Sequence, residues 1–433
     1  MFSCSRAFMF EKIKQIWTVK DLRNKILFVI AMLVVFRLLS YIPVPGVDVN
    51  NLRNALQNNQ VLGLLNVFTG GSMKNFSVVM LGVGPYITAS IILQLLTMIV
   101  PSMEELSKEG EQGQQKINMY TRWLTVPLAI LQSYATIQFL NRSGAPILTN
   151  LTPFHLVTIM LTVTAGTMFL VWISELISEK KVGNGTSLLI FAGIAASLPG
   201  YVQTALVNYT SSDLTLYIVF AVIALFTVVA VVFMNEAQRN IPVTYAKQVR
   251  GLKTVGGSST HLPFRVNMAG VVPIIFALSL ITLPALIAQF FVNAHTTWLA
   301  NAAVKTVNLF QQNGIFYNII YFVLVFGFTY FYTAVIFHPQ QIAENLQKQG
   351  GFIPGIRPGK ETEKYLNSTM NRLNLVGALF LGIIAVLPLL VQGASGSQNL
   401  RIGGTSLLIA VAVAIETAKQ IDAQMTMHEY DSI

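Results

Sequence analysis

The hexapeptide GTSLLI occurs twice in this sequence, at residues 185–190 and again at 404–409. A second shared pattern, M-x-G-V-x-P-x-I, precedes each copy, at residues 80–87 and 268–275. A single short match between two apolar stretches carries a real risk of coincidence. Two different matches in the same order instead indicate an internal duplication, so the chain is predicted to consist of two related halves.

Composition places this chain among membrane proteins. Of its 433 residues, 53% are hydrophobic and only 11% are charged. A helix needs roughly 20 mostly apolar residues to cross the hydrocarbon core of a bilayer, and uncharged runs of that length recur along the whole sequence. We therefore expect an all-α polytopic membrane protein with no soluble domain of any size.

The apolar runs predict ten transmembrane spans separated by polar connections. The predicted spans lie at about 24–42, 76–100, 117–140, 154–177, 186–207, 214–235, 268–292, 314–337, 373–391 and 404–419. Of the 28 Lys and Arg residues, 22 fall on the side that holds both termini, 5 fall on the other side, and Arg37 lies within a span. The excess of positive charge predicts that both termini are cytoplasmic.

The ten-span topology also determines how the two halves are related. The proline pattern falls on spans two and seven, and the hexapeptide falls on spans five and ten. An offset of five spans means that equivalent segments cross the membrane in opposite directions. Residues 1–210 and 211–433 are thus predicted to form an inverted repeat, and such folds place the functional site between the halves near mid-membrane.

Branched apolar side chains occupy the equivalent positions of the repeat. Ile87 matches Ile275, Ile190 matches Ile409, and Val83 and Ile194 lie one helical turn from members of this set. Any one such residue usually packs against lipid or a neighbouring helix. As a symmetric set they would form a narrow apolar constriction, which gates by excluding water and ions.

The residues that other classes of membrane protein need are missing from the expected positions. An ion-coupled transporter requires carboxylates or histidines within its spans, whereas the carboxylates here fall toward span ends. The five histidines have no ligand spacing, and the single cysteine, Cys4, excludes an internal disulfide. No phosphate-binding loop or nucleophile elbow is present. The sequence therefore favours a channel over a transporter or an enzyme, with no metal or cofactor.

The segment LGLLNVFTGGSMKN, residues 62–75, precedes the second span and has two possible structures. It is half apolar, too short to cross a bilayer, and interrupted by Gly70 and Gly71. It could lie at the interface as a half-helix. It could also fold back into the membrane, where irregular backbone is tolerated only beside protein or a water-filled cavity.

Two predicted cytoplasmic connections, 236–267 and 338–372, are long, glycine-rich and basic. A basic loop is most often a solvated surface that follows the topology. Its charge would equally suit a large anionic partner, of which ribosomal RNA is an example.

Several longer strings resemble one known family. They are PYITASIILQLL at 85–96, GNGTSLLIFAGI at 183–194, STHLPFRVNMAG at 259–270, GGFIPGIRPGKETEKYL at 350–366 and GGTSLLI at 403–409. These strings resemble the bacterial SecY family, the channel-forming subunits of the Sec translocon. The resemblance implies an hourglass channel between the two halves, a plug at residues 62–75, and a lateral gate between spans two and three on one side and seven and eight on the other.

The resemblance also implies which residues act. The pore ring would be Val83, Ile87, Ile190, Ile194, Ile275 and Ile409; the plug would include Leu65, Phe68, Gly70 and Gly71; the lateral gate would include Ser90, Gln94, Ser279 and Thr282; cytoplasmic docking would use Arg250, Lys253, Arg357 and Lys360. The implied partners are SecE and SecG, the SecA ATPase, the ribosome, the preprotein with its signal sequence, and membrane lipid. The implied location is the bacterial cytoplasmic membrane.

This sequence departs from the family pattern at a few positions. Leu252 and Lys253 stand where the family carries an Arg-Arg pair, and Asn240 and Gln248 stand at positions that are basic in relatives. We expect ribosome contact through this loop tip to be weaker or to depend on Arg250 and Lys253. Val83 replaces a more common Ile, which removes one methylene from the predicted ring.

Overall fold

A computed structural model describes most of the chain. The described residues are 17–45, 69, 71–142, 152–207, 214–245, 247–250, 253–256, 259–292, 296–310, 314–395 and 403–431.

Most of the described residues are helical. The helices are α1 (Lys20–Ser40), α2 (Gly84–Ile99), α3 (Pro101–Lys108), α4 (Glu111–Arg142), α5 (Pro153–Glu179), α6 (Gly185–Val207), α7 (Leu214–Glu236), α8 (Val272–Phe291), α9 (Thr297–Leu309), α10 (Ile315–Ile336), α11 (Pro339–Lys348), α12 (Lys360–Ser395) and α13 (Gly403–Asp431). Ten of these helices, all except α3, α9 and α11, overlap the ten predicted spans.

The bounds of several elements differ from the prediction, among them the following three. The second span was predicted from residue 76, but α2 begins only at Gly84, and residues 76–83 form successive turns. A positive φ at Phe76 and at Gly82 interrupts helical geometry there. Residues 297–309, predicted as part of a polar connection, form α9. The ninth span was predicted from residue 373, whereas α12 begins at Lys360 with Glu361 and Glu363 in its first turn, where carboxylates favour a helix N-terminus.

Length and hydropathy alone identify fewer spans than the sequence pattern predicts. Among the described residues, Pro153–Glu179, Ile315–Lys348 and Lys360–Leu390 are long and apolar enough to cross a membrane, and the sharply bent pair α2 and α3 would add a fourth. Shorter apolar helices include Gly185–Gly200 and Val272–Ala285. Each of these contains a proline near its end, Pro199 or Pro284, which removes one backbone hydrogen bond, although α6 and α8 continue beyond it.

The expectation of an all-α chain was wrong for the predicted cytoplasmic connections. Their described residues contain five strands, β1 (Gln238–Tyr245), β2 (Lys247–Arg250), β3 (Lys253–Gly256), β4 (Ser259–Arg265) and β5 (Gly351–Phe352). The strands form a three-stranded antiparallel sheet in the order β4-β1-β5 and a separate β2-β3 hairpin. Alternate residues Ile241 and Val243 of β1 are buried, the period of two expected for a half-buried strand.

Three apolar clusters hold the described elements together. The largest draws on α1, α2, α5, α6, α7, α8, α10, α12 and α13. A second cluster joins the turns that precede α2 to α4 and α5 through residues such as Phe76, Ile137 and Val163. The third lies beneath the sheet and includes Ile241, Phe264 and Leu366. The predicted ring residues all lie in the largest cluster, so the core of the molecule is also where the candidate site is found.

Candidate functional site

All six predicted ring residues are buried in one apolar cluster. Their exposed fractions run from 2% to 5%, for Val83, Ile87, Ile190, Ile194, Ile275 and Ile409. They come from four helices, since Val83 and Ile87 belong to the start of α2, Ile190 and Ile194 to α6, Ile275 to α8 and Ile409 to α13. Side chains that are far apart in sequence thus meet in one dry region.

The two copies of the proline pattern have the same backbone conformation. Gly82 has a φ of 57° and Gly270 has a φ of 63°. The residue that follows caps the next helix in each copy, with a φ of −94° at Val83 and −95° at Val271. Proline then occupies the first turn of α2 and of α8. The two copies of the proline pattern therefore share a local conformation, and Ile87 and Ile275 take the same place in their helices.

Glycine is required at these two turns for a physical reason. A side chain with a Cβ is strained at a φ near +60°, whereas glycine adopts this conformation readily. At Gly82 space is short as well, because an added Cβ would lie 3.2 Å from the Cα atom of Thr69. The turn sets the direction of α2 and therefore the positions of Val83 and Ile87.

The hexapeptide begins a helix in both copies. Gly185 starts α6, and an added Cβ there would lie 1.9 Å from the carbonyl oxygen of Ser174 on α5. The amide of Gly185 donates to Ser178 Oγ at 2.9 Å, so the start of α6 is fixed directly against α5. The second copy lies in the first turns of α13, where Ser406 and Ile409 are both buried. The hexapeptide thus carries one isoleucine of each half into the core.

The predicted gate residues divide into two groups. Ser279 and Thr282 of α8 line a cavity of about 60 Å³ together with Ile87 and Thr88 of α2. Ser90 and Gln94 are not among its lining residues; Gln94 Nε2 donates instead to Ser90 Oγ at 3.2 Å along α2.

The cavity also contains polar residues that sequence reasoning missed. Gln132 and Thr136 of α4 line it, as does Thr69. Helix α8 packs against both α2 and α4, so the cavity lies in the seam between residues of the two halves. Their spacing of four residues, which places Gln132 and Thr136 on one face of a helix, was the available signal.

The predicted plug is described only at its C-terminal end. Leu65, Phe68 and Gly70 lie outside the described residues. Gly71 is described, with a φ of 83°, and it precedes a short 3₁₀ helix, Ser72–Asn75. Met73 and Phe76 are 2% and 0% exposed and pack in the second cluster against α4 and α5. Within the described end of the segment, Ser72 and Met73 are buried whereas Lys74 is exposed.

The predicted docking residues lie at two turns. Arg250 and Lys253 are directly paired at the closed end of the β2-β3 hairpin. Arg357 and Lys360 are exposed in and after the turn that leads from β5 to α12. That turn is held in place because Thr362 Oγ1 donates to the carbonyl oxygen of Arg357 at 2.9 Å and Ile353 is only 3% exposed.

The two basic connections form one unit, which the sequence did not indicate. Strand β5 pairs with β1 through Thr244 opposite Phe352 and Tyr245 opposite Gly351. Ile353 packs in the cluster beneath the sheet with Val243 and Leu346. The Arg357 turn is thereby supported by residues about 110 positions earlier in the chain.

Within the described part of the chain, no group of three His, Cys, Asp or Glu residues could hold a metal ion.

Comparison with protein families gives a match to the SecY family model over residues 77–418. Curated relatives match along nearly their full length. A protein translocase subunit SecY of Thermotoga maritima is 42% identical over 433 residues, which cover 98% of this chain and 97% of that protein. The protein translocase subunit SecY of Halalkalibacterium halodurans is 44% identical, over 98% of this chain and 99% of the relative.

Solved structures have a similar fold at low sequence identity. A structure described as that of a protein conducting channel matches with a TM-score of 0.62 and 17% identity, over 91% of this chain and 90% of the other. Sec61 in a canine ribosome-channel complex from the endoplasmic reticulum matches with a TM-score of 0.58 and 16% identity, over the same shares of the two chains.

Proposed function

The chain belongs to the SecY family, and from that membership we propose how this protein-conducting channel subunit of the translocase holds its seal and opens. It is not an enzyme, because it moves polypeptides without covalent chemistry of its own. Its work is to keep a membrane closed to ions while an unfolded chain passes.

The proposed seal is the ring formed by Val83, Ile87, Ile190, Ile194, Ile275 and Ile409. The single observation that carries this proposal is that all six side chains, drawn from four helices and both halves, are buried in one apolar cluster. A narrow apolar constriction excludes water and therefore ions. Branched side chains can part around a polypeptide and close again behind it without a specific bond having to be broken.

The proposed architecture is an inverted repeat of ten spans, with residues 1–210 and 211–433 as its halves and both termini in the cytoplasm. The matching backbone conformations at Gly82 and Gly270 support the repeat. The distribution of Lys and Arg supports the orientation. We place the protein in the bacterial cytoplasmic membrane, consistent with the bacterial relatives.

We propose that the lateral gate opens along the seam between α8 and the pair α2 and α4. The cavity in that seam is lined by Ser279, Thr282 and Gln132 as well as by apolar residues. A seam of mixed polarity can separate at a lower energetic cost than a close-packed apolar interface. Opening it would give an apolar segment of the passing chain direct access to lipid. Ser90 and Gln94, which are bonded to each other, would then border the opening on α2.

We propose that residues 62–75, including Leu65, Phe68, Gly70 and Gly71, close the outer funnel at rest. The burial of Met73 and Phe76 supports an interior position for the end of this segment. The close approach of Thr69 to Gly82 supports direct contact between the plug and the turn that carries Val83.

The proposed cytoplasmic docking surface consists of the Arg357 turn and the tip of the β2-β3 hairpin, and the turn is supported by a sheet unit made of β1, β4, β5, α11 and the start of α12. Arg357 and Lys360 are exposed on a turn that the sheet supports, and Arg250 and Lys253 flank the hairpin tip. We propose that this basic surface receives the SecA ATPase and, through its RNA, the ribosome. The fold shared with a ribosome-bound channel complex is consistent with ribosome docking. SecE and SecG are the proposed membrane partners.

Ion conductance of the reconstituted complex tests the proposed seal. Ile409→Asn places an amide in a ring whose isoleucines each contribute about 2 kcal/mol by burial, so the resting leak should rise on the order of tenfold. Ile409→Val is the matched control, because it keeps the ring apolar and should leave the leak near the wild-type value. Equal conductance in the two variants would refute the assignment.

A further inference from the structure

A buried polar network lies at the start of α8, next to the second copy of the proline pattern. Asn267 is only 9% exposed, and its Nδ2 atom donates to Asn235 Oδ1 at 2.9 Å and to the carbonyl oxygen of Gly270 at 3.3 Å. The carbonyl group can only accept, so the Gly270 contact fixes which end of the Asn267 amide carries the nitrogen. Asn235 Oδ1 is then the acceptor of the second bond.

The network reaches two further helices. Asn235 is the last residue but one of α7, and its carbonyl oxygen accepts a bond of 2.9 Å from Lys419 Nζ on α13. Lys419 also pairs with Glu236 at 2.9 Å. On the other side, α12 approaches so closely that a Cβ added at Gly377 would lie 2.7 Å from the carbonyl oxygen of Val266. The segment before α8 is thus bounded by α7, α12 and α13.

The first half of the repeat lacks this network. The residue equivalent to Asn267 is Val79, which is fully buried in the apolar core. A buried amide must be hydrogen-bonded to be tolerated, so a polar residue at a position that is apolar in the other copy requires an explanation. One of its two bonds holds the carbonyl group of Gly270, the residue whose positive φ directs α8, and the other joins it to Asn235.

We propose that Asn267 is a positioning residue that holds α8 in the orientation of the closed channel. It acts through Gly270, whose conformation sets the first turn of α8 and therefore the place of Ile275 and, further along the helix, of Ser279 and Thr282. Asn235 and Lys419 connect Asn267 to the proposed cytoplasmic ends of α7 and α13. A partner that moves those ends would release α8. This inference rests on the proposed ring and gate.

Asn267→Asp is the most informative variant, because it keeps the shape of the side chain but removes the donor of both bonds. Loss of the two hydrogen bonds, about 1 kcal/mol each, should shift the ratio of open to closed channel about thirtyfold. The resting ion leak of the complex reconstituted in lipid vesicles should rise by that factor. In a Cys4→Ser background, a cysteine introduced at Thr282 should react faster with a water-soluble maleimide by a similar factor.

Two further variants separate positioning from a general loss of packing. Asn235→Ala removes only the bond to Asn235 Oδ1, so it should raise the leak less than Asn267→Asp, and the double variant should equal Asn267→Asp alone. Thr333→Val is the matched control, because it removes a buried bond of 3.0 Å to Asn374 that does not involve α8. It should leave both the leak and the labelling rate at the wild-type values.

The outcomes distinguish this inference from the proposed ring. Ile275→Asn serves as the reference for a disrupted seal. A leak that rises in Ile275→Asn but not in Asn267→Asp would overturn the positioning role and leave the ring standing. A leak that rises in neither would overturn both, and an equal rise in Thr333→Val would show that any buried polar bond has the same effect.

Discussion

Replacing Gly166 with alanine should disturb the proposed ring, although Gly166 is not one of its residues. Gly166 lies in α5, where a Cβ would come within 2.1 Å of the carbonyl oxygen of Val78 and 2.8 Å of the carbonyl carbon. Ordinary van der Waals contact begins near 3.4 Å, so the two backbones must separate by about 1.3 Å. Val78 belongs to the turns that lead to Val83, and displacing them displaces the start of α2.

The magnitude follows from a matched pair of glycines. Gly327 lies in the interior of α10 and has nothing within 4 Å of its would-be Cβ. Alanine improves helix propensity by up to about 1 kcal/mol at either site, so that gain cancels between the two variants. The remaining difference is the overpacking at Gly166, which should cost about 1–3 kcal/mol of folding stability.

The two variants are compared by their thermal midpoints. The detergent-solubilised complex is heated, and the fraction that stays monodisperse is measured. Each kcal/mol shifts the midpoint by about 2–4 °C for a chain of 150–250 residues and by less for a longer one. Gly166→Ala should therefore melt a few degrees below Gly327→Ala and should also show a raised ion leak. A Gly166→Ala complex that melts at or above the Gly327→Ala midpoint would contradict the close contact between α5 and the turns.

The docking surface yields two further predictions. Arg357→Glu should impair motor-driven transport while the protein still inserts into the membrane. Lys348→Glu, which reverses an exposed charge on α11 outside the turn, should not impair transport. SecA-dependent transport in vesicles measures both variants, and normal transport in Arg357→Glu would refute the docking assignment. Ile353→Asn should reproduce the Arg357→Glu defect because it removes the buried anchor of the turn at a cost of roughly 2–4 kcal/mol. Phe352→Asn, on the exposed neighbour, should transport normally, and equal defects in the two variants would refute the anchoring role.

The sequence was sufficient to predict ten of the described helices and the two equivalent turns of the proline pattern. A helix satisfies its backbone hydrogen bonds internally, so long apolar runs in a membrane protein predict helices. The repeated glycine and proline specify equivalent turns at Gly82 and Gly270. Residues 76–83 were predicted as helix because composition does not distinguish a buried turn from a buried helix. Only Gly82 and Pro85 indicated a turn instead of a helix.

The sheet could not be predicted because its pairing is long-range. Thr244 pairs with Phe352, and no local pattern connects two segments about 110 residues apart. Proline is uncommon inside strands, yet β1 and β4 each contain one, with Pro242 opposite His261 and Pro263 opposite Asn240. The network around Asn267 was missed for the same reason, since it depends on Asn235 of α7 and Lys419 of α13.

Site-specific photocross-linking to a stalled secretory chain tests the central claim most directly. A photoreactive residue at Ile190 or Ile409 should cross-link to the segment of the polypeptide that lies within the membrane. The same group at Ile218 or Val229, which are 54% and 60% exposed on the surface of α7, should cross-link to lipid and not to the chain. Cross-links to the chain from α7 but none from the ring positions would contradict a pore that passes through the ring.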